Sequence, residues 1–149
     1  MAEFREVQTR YNCSLTSKFY LNEDSTILIA DFDGVARVGS EGNACSFFIY
    51  CKLAEYLIYF TPHAIVLDFR DLEYSWGNSI LRVFHVTEDV LGYGEPPYRP
   101  IILVVSDKCK AGFASLLGFD PEQLPEFVFE DLDKAVEYAQ KQVNEWIAK

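Results

Sequence analysis

Residues 64–84 read AIVLDFRDLEYSWGNSILRVF, and this stretch decides the fold. Ile65, Val66, Leu67 and Phe69 form an apolar run of strand length, and its continuous rather than alternating character implies a strand covered on both faces. Pro62 stands just before it and closes the preceding segment. After the run come Tyr74, Ser75, Trp76 and Gly77, and then Trp76, Ile80, Val83, Phe84, Val90 and Leu91 recur at roughly helical spacing. The expectation is a buried strand, a short loop and a helix starting near Ser75.

The same alternation extends in both directions. Upstream, STILIADFDGV carries Ile27, Leu28 and Ile29 in a strand punctuated by Gly34. A helix starting near Ser40 or Asn43 runs through ACSFFIYCKLAEYLIYF. Downstream, GYGEPPYRP is a loop, IILVVS a third buried strand, KAGFASLLGF a short helix ended by Gly118, and EFVFED a fourth strand. The last helix begins at about Asp131 and puts Leu132, Ala135, Val136, Ala139, Val143, Trp146 and Ile147 on one face. Asp131 and Asp133 at its start and Lys149 at its end suit the helix dipole. Residues 1–24 are an N-terminal extension or a leading strand, the strand falling around Tyr11–Tyr20. The pattern predicts one α/β domain over 1–149, with a mostly parallel sheet of four or five strands and alternating helices.

The segment AIVLDFRDLEYSWGNSILRVF resembles the central part of STAS domains, the sulfate-transporter and anti-sigma-factor-antagonist family. There a strand of type vvLDls passes through a loop into DSSG at a helix start. RPIILVVSDKCKAGFASLLGFDPEQLPEFVFEDLDKAVEYA is similar to that family's closing half, with its LL–G turn and D–D–A opening to the last helix. The likeness spans about residues 25–140. It implies a STAS-like fold, a protein partner and a regulator of the partner-switching type. Ser75 falls where anti-sigma-factor antagonists are phosphorylated by a partner kinase. The aspartate before it is absent, and Trp76 replaces a small residue. Tyr74, Ser75, Trp76, Gly77 and Asn78 are therefore the candidate partner interface or phosphosite. A helix N-terminus would accept a phosphate, but an unmodified serine suits it equally as an N-cap, and the plain cap is the favoured reading. Trp76, if exposed, is a candidate hot spot.

ILIADFDGVA is also similar to the first motif of haloacid-dehalogenase-type phosphatases. That would make Asp31 a nucleophile and Asp33 an acid/base with Mg²⁺. Ser106 would match the second motif, and Glu130 or Asp131 the metal-binding acids. Lys108, Lys110 and Lys134 are weak matches for the third, and no flap separates Asp31 from the following helix. The favoured reading makes Asp31 and Asp33 solvated turn residues, with Gly34 supplying the turn.

Charge narrows the partners. With 13 basic and 23 acidic residues, the formal net charge is −10, which opposes binding to nucleic acid or an anionic membrane. An acidic immunity protein neutralising a basic toxin is the alternative function. Cys13, Cys45, Cys51 and Cys109 form no CxxC pair, and His63 and His85 stand in no zinc-like spacing with them. No metal, cofactor or catalytic set is expected. The sequence shows no secretory signal, and the thiols fit a reduced, cytoplasmic protein. Ala44–Phe60 is interrupted by Lys52 and Glu55 and falls short of a membrane span. Lys108 and Lys110 beside Cys109 would lower its pKa, but the favoured reading is an inert thiol. Phe47, Tyr50, Tyr56 and Tyr59 cannot all face one core stripe. The favoured reading is a helix buried between sheet and loops, and the alternative is that part of it meets a partner or a second copy of the chain, as in a homodimer.

Overall fold

In the computed structural model, residues 3–8, 13–36, 42–92 and 99–148 are described. The run Ala64–Asp68 forms β3, buried at every position. Its neighbours are β2 (Ile27–Val35) on one side and β5 (Ile101–Val104) on the other, both parallel to it. Beyond β5 lies the two-residue β6 (Val128–Phe129), also parallel. β1 (Thr16–Leu21) closes the other edge antiparallel to β2. Tyr11, the expected start of the leading strand, lies outside the described residues. The order β1-β2-β3-β5-β6 makes a mixed, mostly parallel α/β sheet. A sixth strand that the sequence reading does not contain is β4 (Leu72–Glu73), which pairs with the end of β2 after β3 has stopped.

Side chains alternate across the sheet. Leu28, Ala30, Phe32, Ile65, Leu67 and Leu103 enter the larger core. The helix α1 (Asn43–Phe60) meets them with Cys45, Ile49, Leu53 and Leu57, one residue every four. Thr61 ends α1 in the left-handed region, its N–H donating to the Leu57 carbonyl, and Pro62 follows. On the opposite face Ile27, Ala64, Val66, Ile102 and Val104 meet α4 (Leu132–Ile147). Ala135, Ala139 and Val143 are the contacts there, and the alanines let the helix sit close to the strands. Asp131 caps α4 by accepting from the Lys134 N–H at 3.2 Å.

Between β4 and β5 the chain forms a 3₁₀ segment (Ser79–His85) that continues as α2 (Val86–Leu91). The short helix α3 (Lys110–Leu117) ends at Gly118 with φ 77°, in the left-handed cap conformation glycine adopts freely. Ser40 and most of the GYGEPPYRP loop lie outside the described residues. Among the described residues no helix is long and apolar enough to cross a membrane.

Candidate functional site

The loop after β3 is held by a chain of hydrogen bonds that starts in the strand itself. Asp68, 4% exposed, receives Arg70 as a fork, Nε to Oδ1 and Nη2 to Oδ2, both at 2.8 Å. The Arg70 backbone N–H donates to the same Oδ1 at 3.2 Å. Such a bidentate, charge-assisted pair fixes the guanidinium plane as well as its position. The Arg70 carbonyl in turn accepts from Ser106 Oγ at 2.6 Å, and Ser106 Oγ accepts from the Lys108 N–H at 3.2 Å. Cys109 Sγ donates to the Phe69 carbonyl at 3.2 Å, and the Tyr74 N–H donates to the Lys108 carbonyl at 3.1 Å. The loops after β3 and β5 are thus stitched into one platform.

Tyr74 anchors that platform. Its ring is buried against Phe113 at 4.7 Å, and Phe113 stacks on Phe69 at 5.3 Å. Its hydroxyl donates to the Gly77 carbonyl at 2.6 Å. Gly77 has φ 127°, a conformation that L side chains rarely adopt. The result is an arch. Ser75, Trp76 and Asn78 stand exposed between two buried anchors, Tyr74 and Ile80. Trp76 is 59% exposed.

This arch corrects the expected helix start. The helical segment begins at Ser79, with Asn78 at its N-cap position and no side-chain cap bond. Ser75 is four residues ahead of it and cannot cap it. The physical reason is the Tyr74–Gly77 closure: the core takes Tyr74 and then Ile80, Val83 and Val86, and leaves Trp76 outside the apolar stripe.

Beside the arch lies a groove of about 330 Å³ lined by Asn43, Ser46, Phe47 and Tyr50 of α1 with Ser79 and Arg82 of the 3₁₀ segment. The Ser46 and Ser79 hydroxyls hydrogen-bond at 2.9 Å across its floor. They also line a small cleft that reaches Trp76 and Gly77. At the far end Asp89 Oδ2 accepts from the Tyr50 hydroxyl at 2.7 Å and from Arg82 Nε at 2.9 Å. The arginine lies 5.6 Å from the centre of the Tyr50 ring, within cation–π range. These hydrogen bonds hold the Asp89 carboxyl below its usual range, the Tyr50 bond first and Arg82 second. Burial, followed by the Asp89 bond, pushes the Tyr50 hydroxyl up. Ser46, Ser79, Arg82 and Asp89 are absent from the sequence-derived site. The one signal for them was α1 itself, whose aromatic residues exceed a single stripe; Phe47 indeed emerges 47% exposed and Tyr59 80% exposed.

The phosphatase-like residues take other places. Asp31 and Asp33 lie inside β2, not in a turn, because β2 runs on to Val35 by pairing with β1 and β4. Asp31 stands opposite Asp68 in the β2–β3 register. Burial, then Asp68, Asp71 and Asp33, push its carboxyl up. Its Oδ1 is buried with no hydrogen-bond partner among the described residues. Ser106 is committed to the Arg70 carbonyl, Glu130 pairs with Lys110 at 3.6 Å, and Asp131 caps α4. Among the described residues no group of three or more His, Cys, Asp or Glu is placed to hold a metal ion.

Cys109 is buried, 1% exposed, in keeping with the inert reading. Burial pushes its thiol up to about 11, opposite to the effect expected of Lys108 and Lys110. Lys108 is exposed, and Lys110 Nζ pairs with Glu130 at 3.6 Å. His63 packs edge-on against Trp146 at 4.2 Å, and burial holds its ring below the ordinary pKa.

No protein-family model matches the chain, and no curated protein matches it. Among solved structures it is similar to the crystal structure of an anti-sigma factor antagonist from Mycobacterium paratuberculosis, with a TM-score of 0.59 and 16% identity. The match covers 85% of this chain and 95% of that one. The likeness at this identity is one of architecture, and it shows that the chain has the STAS-like α/β fold.

Proposed function

We propose that this chain is a non-enzymatic protein-interaction module, a STAS-like regulator of the partner-switching type. Its contact face is the arch Ser75, Trp76 and Asn78 with the adjoining groove between α1 and the 3₁₀ segment. The observation that carries this reading is Trp76, a large aromatic held 59% exposed by anchors on both sides. A rigidly presented tryptophan loses little conformational freedom on binding, and tryptophan is enriched among residues that dominate interface energies. The fold shared with an anti-sigma factor antagonist supports a protein as the ligand. Four free cysteines suit action in the cytoplasm.

Ser75 belongs to this face as the site a kinase would modify. Because the helix starts at Ser79, a phosphate there would not rest on helix N–H groups. It would act by adding negative charge beside Trp76 and Glu73, switching the surface rather than ordering the fold.

The acidic-binder reading, an immunity-type protein capturing a basic toxin, is favoured by the exposed carboxylates of Asp33, Asp71 and Glu73 on the neighbouring strand ends. Salt separates the two readings: electrostatic capture weakens steeply as ionic strength rises, whereas docking on Trp76 does not.

The test is comparative capture from extracts of the native source with wild type, Trp76→Ala and the remote surface variant Tyr59→Ala. A protein retained by wild type and Tyr59→Ala and lost with Trp76→Ala supports the reading. Equal retention of every captured protein by Trp76→Ala removes it. Phosphomonoester turnover with Mg²⁺ that vanishes in Asp31→Asn would replace it with the enzyme.

A further inference from the structure

Two of the four cysteines meet where the segment ahead of β1 reaches the first turn of α1. The β1–β2 register sets Thr16 opposite Asp33, and the chain holds the same course backwards. A Cβ on Gly34 would lie 3.4 Å from both the Leu15 Cα and the Ser14 carbonyl oxygen. Cys13 is thereby carried to the level of Val35 and Ala36. Cys45 of α1, 1% exposed, places its Sγ 3.9 Å from the carbonyl oxygen of that same Val35. Cys45 lies inside the larger core and Cys13 packs against that core at its margin. Cys51 lies further along α1, and Cys109 is tied to the Phe69 carbonyl.

We infer that Cys13 and Cys45 are a redox-modification site, forming a reversible disulfide that staples the segment ahead of β1 to α1. With hydrogen peroxide as oxidant, the Cys13 thiolate attacks one peroxide oxygen. The O–O bond breaks, leaving a sulfenic acid on Cys13 and hydroxide, which takes up the thiol's proton as water. The Cys45 thiolate then attacks the Cys13 sulfur, the S–O bond breaks, and the departing hydroxide leaves as a second water. Two thiols and one peroxide thus give one disulfide and two waters, the sulfurs losing the two electrons that the peroxide gains. Glutathione disulfide achieves the same oxidation by exchange, releasing two molecules of glutathione.

Cys13 is the entry point because it is partly exposed while Cys45 is buried. Burial raises the Cys13 thiol above its usual value, so oxidation is slow at neutral pH and quickens as pH rises. Ser46 and Phe47, which follow Cys45, line the groove, so the disulfide would fix one of its walls. The inference stands on the placement of the two cysteines on either side of Val35 and does not depend on the proposed function.

The experiment uses the full chain carrying Cys51→Ser, since Cys45 and Cys51 fall in one tryptic peptide, residues 38–52. The protein is treated with glutathione disulfide or hydrogen peroxide, alkylated under denaturing conditions and mapped without reductant. The expected result is peptide 11–18 joined to peptide 38–52, an intact mass lower by about 2 Da, and reversal by dithiothreitol. The oxidised form melts roughly 5 °C higher or more, and Cys13→Ser, partly exposed and compatible with folding, shows neither change. Cys13 recovered as a glutathione adduct or sulfinic acid with Cys45 alkylated would overturn the inference. So would a link from Cys13 to Cys109.

Discussion

Tyr74 and Gly112 are in such close contact that a Cβ added at Gly112 would lie 2.7 Å from both the Tyr74 carbonyl oxygen and its ring carbon Cδ2. Gly112 lies in α3, where alanine would ordinarily stabilise the helix by about 1 kcal/mol. Here the obstacle includes backbone, which cannot swing away as a flexible side chain would. Gly112→Ala is therefore expected to destabilise the protein by about 2 kcal/mol. Urea unfolding checks this, and an unchanged or raised midpoint would show that α3 and the platform can separate freely.

The arch divides its residues sharply between support and display. Tyr74→Ala removes a 4% exposed ring from the Phe69–Phe113 stack and frees the Gly77 carbonyl. The expected cost is about 3 kcal/mol. Trp76→Ala removes an exposed ring and should change stability by no more than about 0.5 kcal/mol. Paired unfolding curves measure both; a Trp76→Ala cost close to that of Tyr74→Ala would make Trp76 a packing residue and not a contact residue.

That contrast also shows what the sequence could and could not reveal. The buried strands Ala64–Asp68 and Ile101–Val104 were legible because a continuous apolar run has few other uses, and the start of α4 at Asp131 because acidic residues suit a helix N-terminus locally. Trp76 was misassigned to a helix because spacing alone cannot tell an exposed aromatic from a buried one. What moved the helix start was the Tyr74 hydroxyl reaching the Gly77 carbonyl and the close seat against Gly112, both of which depend on α3. The groove escaped for the same reason: Ser46 and Ser79 meet only through the packing of α1 on the 3₁₀ segment. Asp31 and Asp33 looked like turn residues because β4, the strand that extends β2, is only two residues long.

Removing Arg70 tests the stitching of the site directly. Arg70→Ala leaves the buried Asp68 carboxylate without its fork, while the arginine side chain that is lost was itself 40% exposed. The expected loss is about 2 kcal/mol. Arg70→Lys should recover only part of it, because an ammonium cannot reproduce the two parallel bonds. Full recovery with lysine would mean that charge alone, not geometry, holds the loop.

Asp31 is a place where the protein gives up stability. Burial and the neighbouring carboxylates raise its pKa in the folded state above the ordinary 3.8. Folding therefore favours the protonated form, and the stability present below pH 3.8 is lost as pH rises through the folded-state pKa. Asp31→Asn abolishes that loss. At pH 7 the variant should be more stable than wild type by about 1 kcal/mol, and the advantage should shrink on acidification. Thermal melts of both proteins across pH 4–7 check the sign; a variant less stable than wild type at pH 7 would mean that the Asp31 carboxylate has a favourable partner.

His63 gives the opposite acid response. Its ring is packed against Trp146, and Nδ1 is buried without a hydrogen-bond partner among the described residues. Burial, and then Arg99, hold its folded pKa below the ordinary 6.5, with Asp24 pulling the other way. The unfolded chain takes up a proton below pH 6.5 while the folded chain resists it. Stability therefore falls as pH drops from there through the folded pKa. His63→Phe, which keeps a ring against Trp146, should flatten that part of the stability profile. An NMR titration of the His63 ring protons supplies the direct reading, with a midpoint expected below 6.5. A midpoint at or above it would show that the ring is solvated and that the contact with Trp146, which ties the end of α4 to the start of β3, is open in solution.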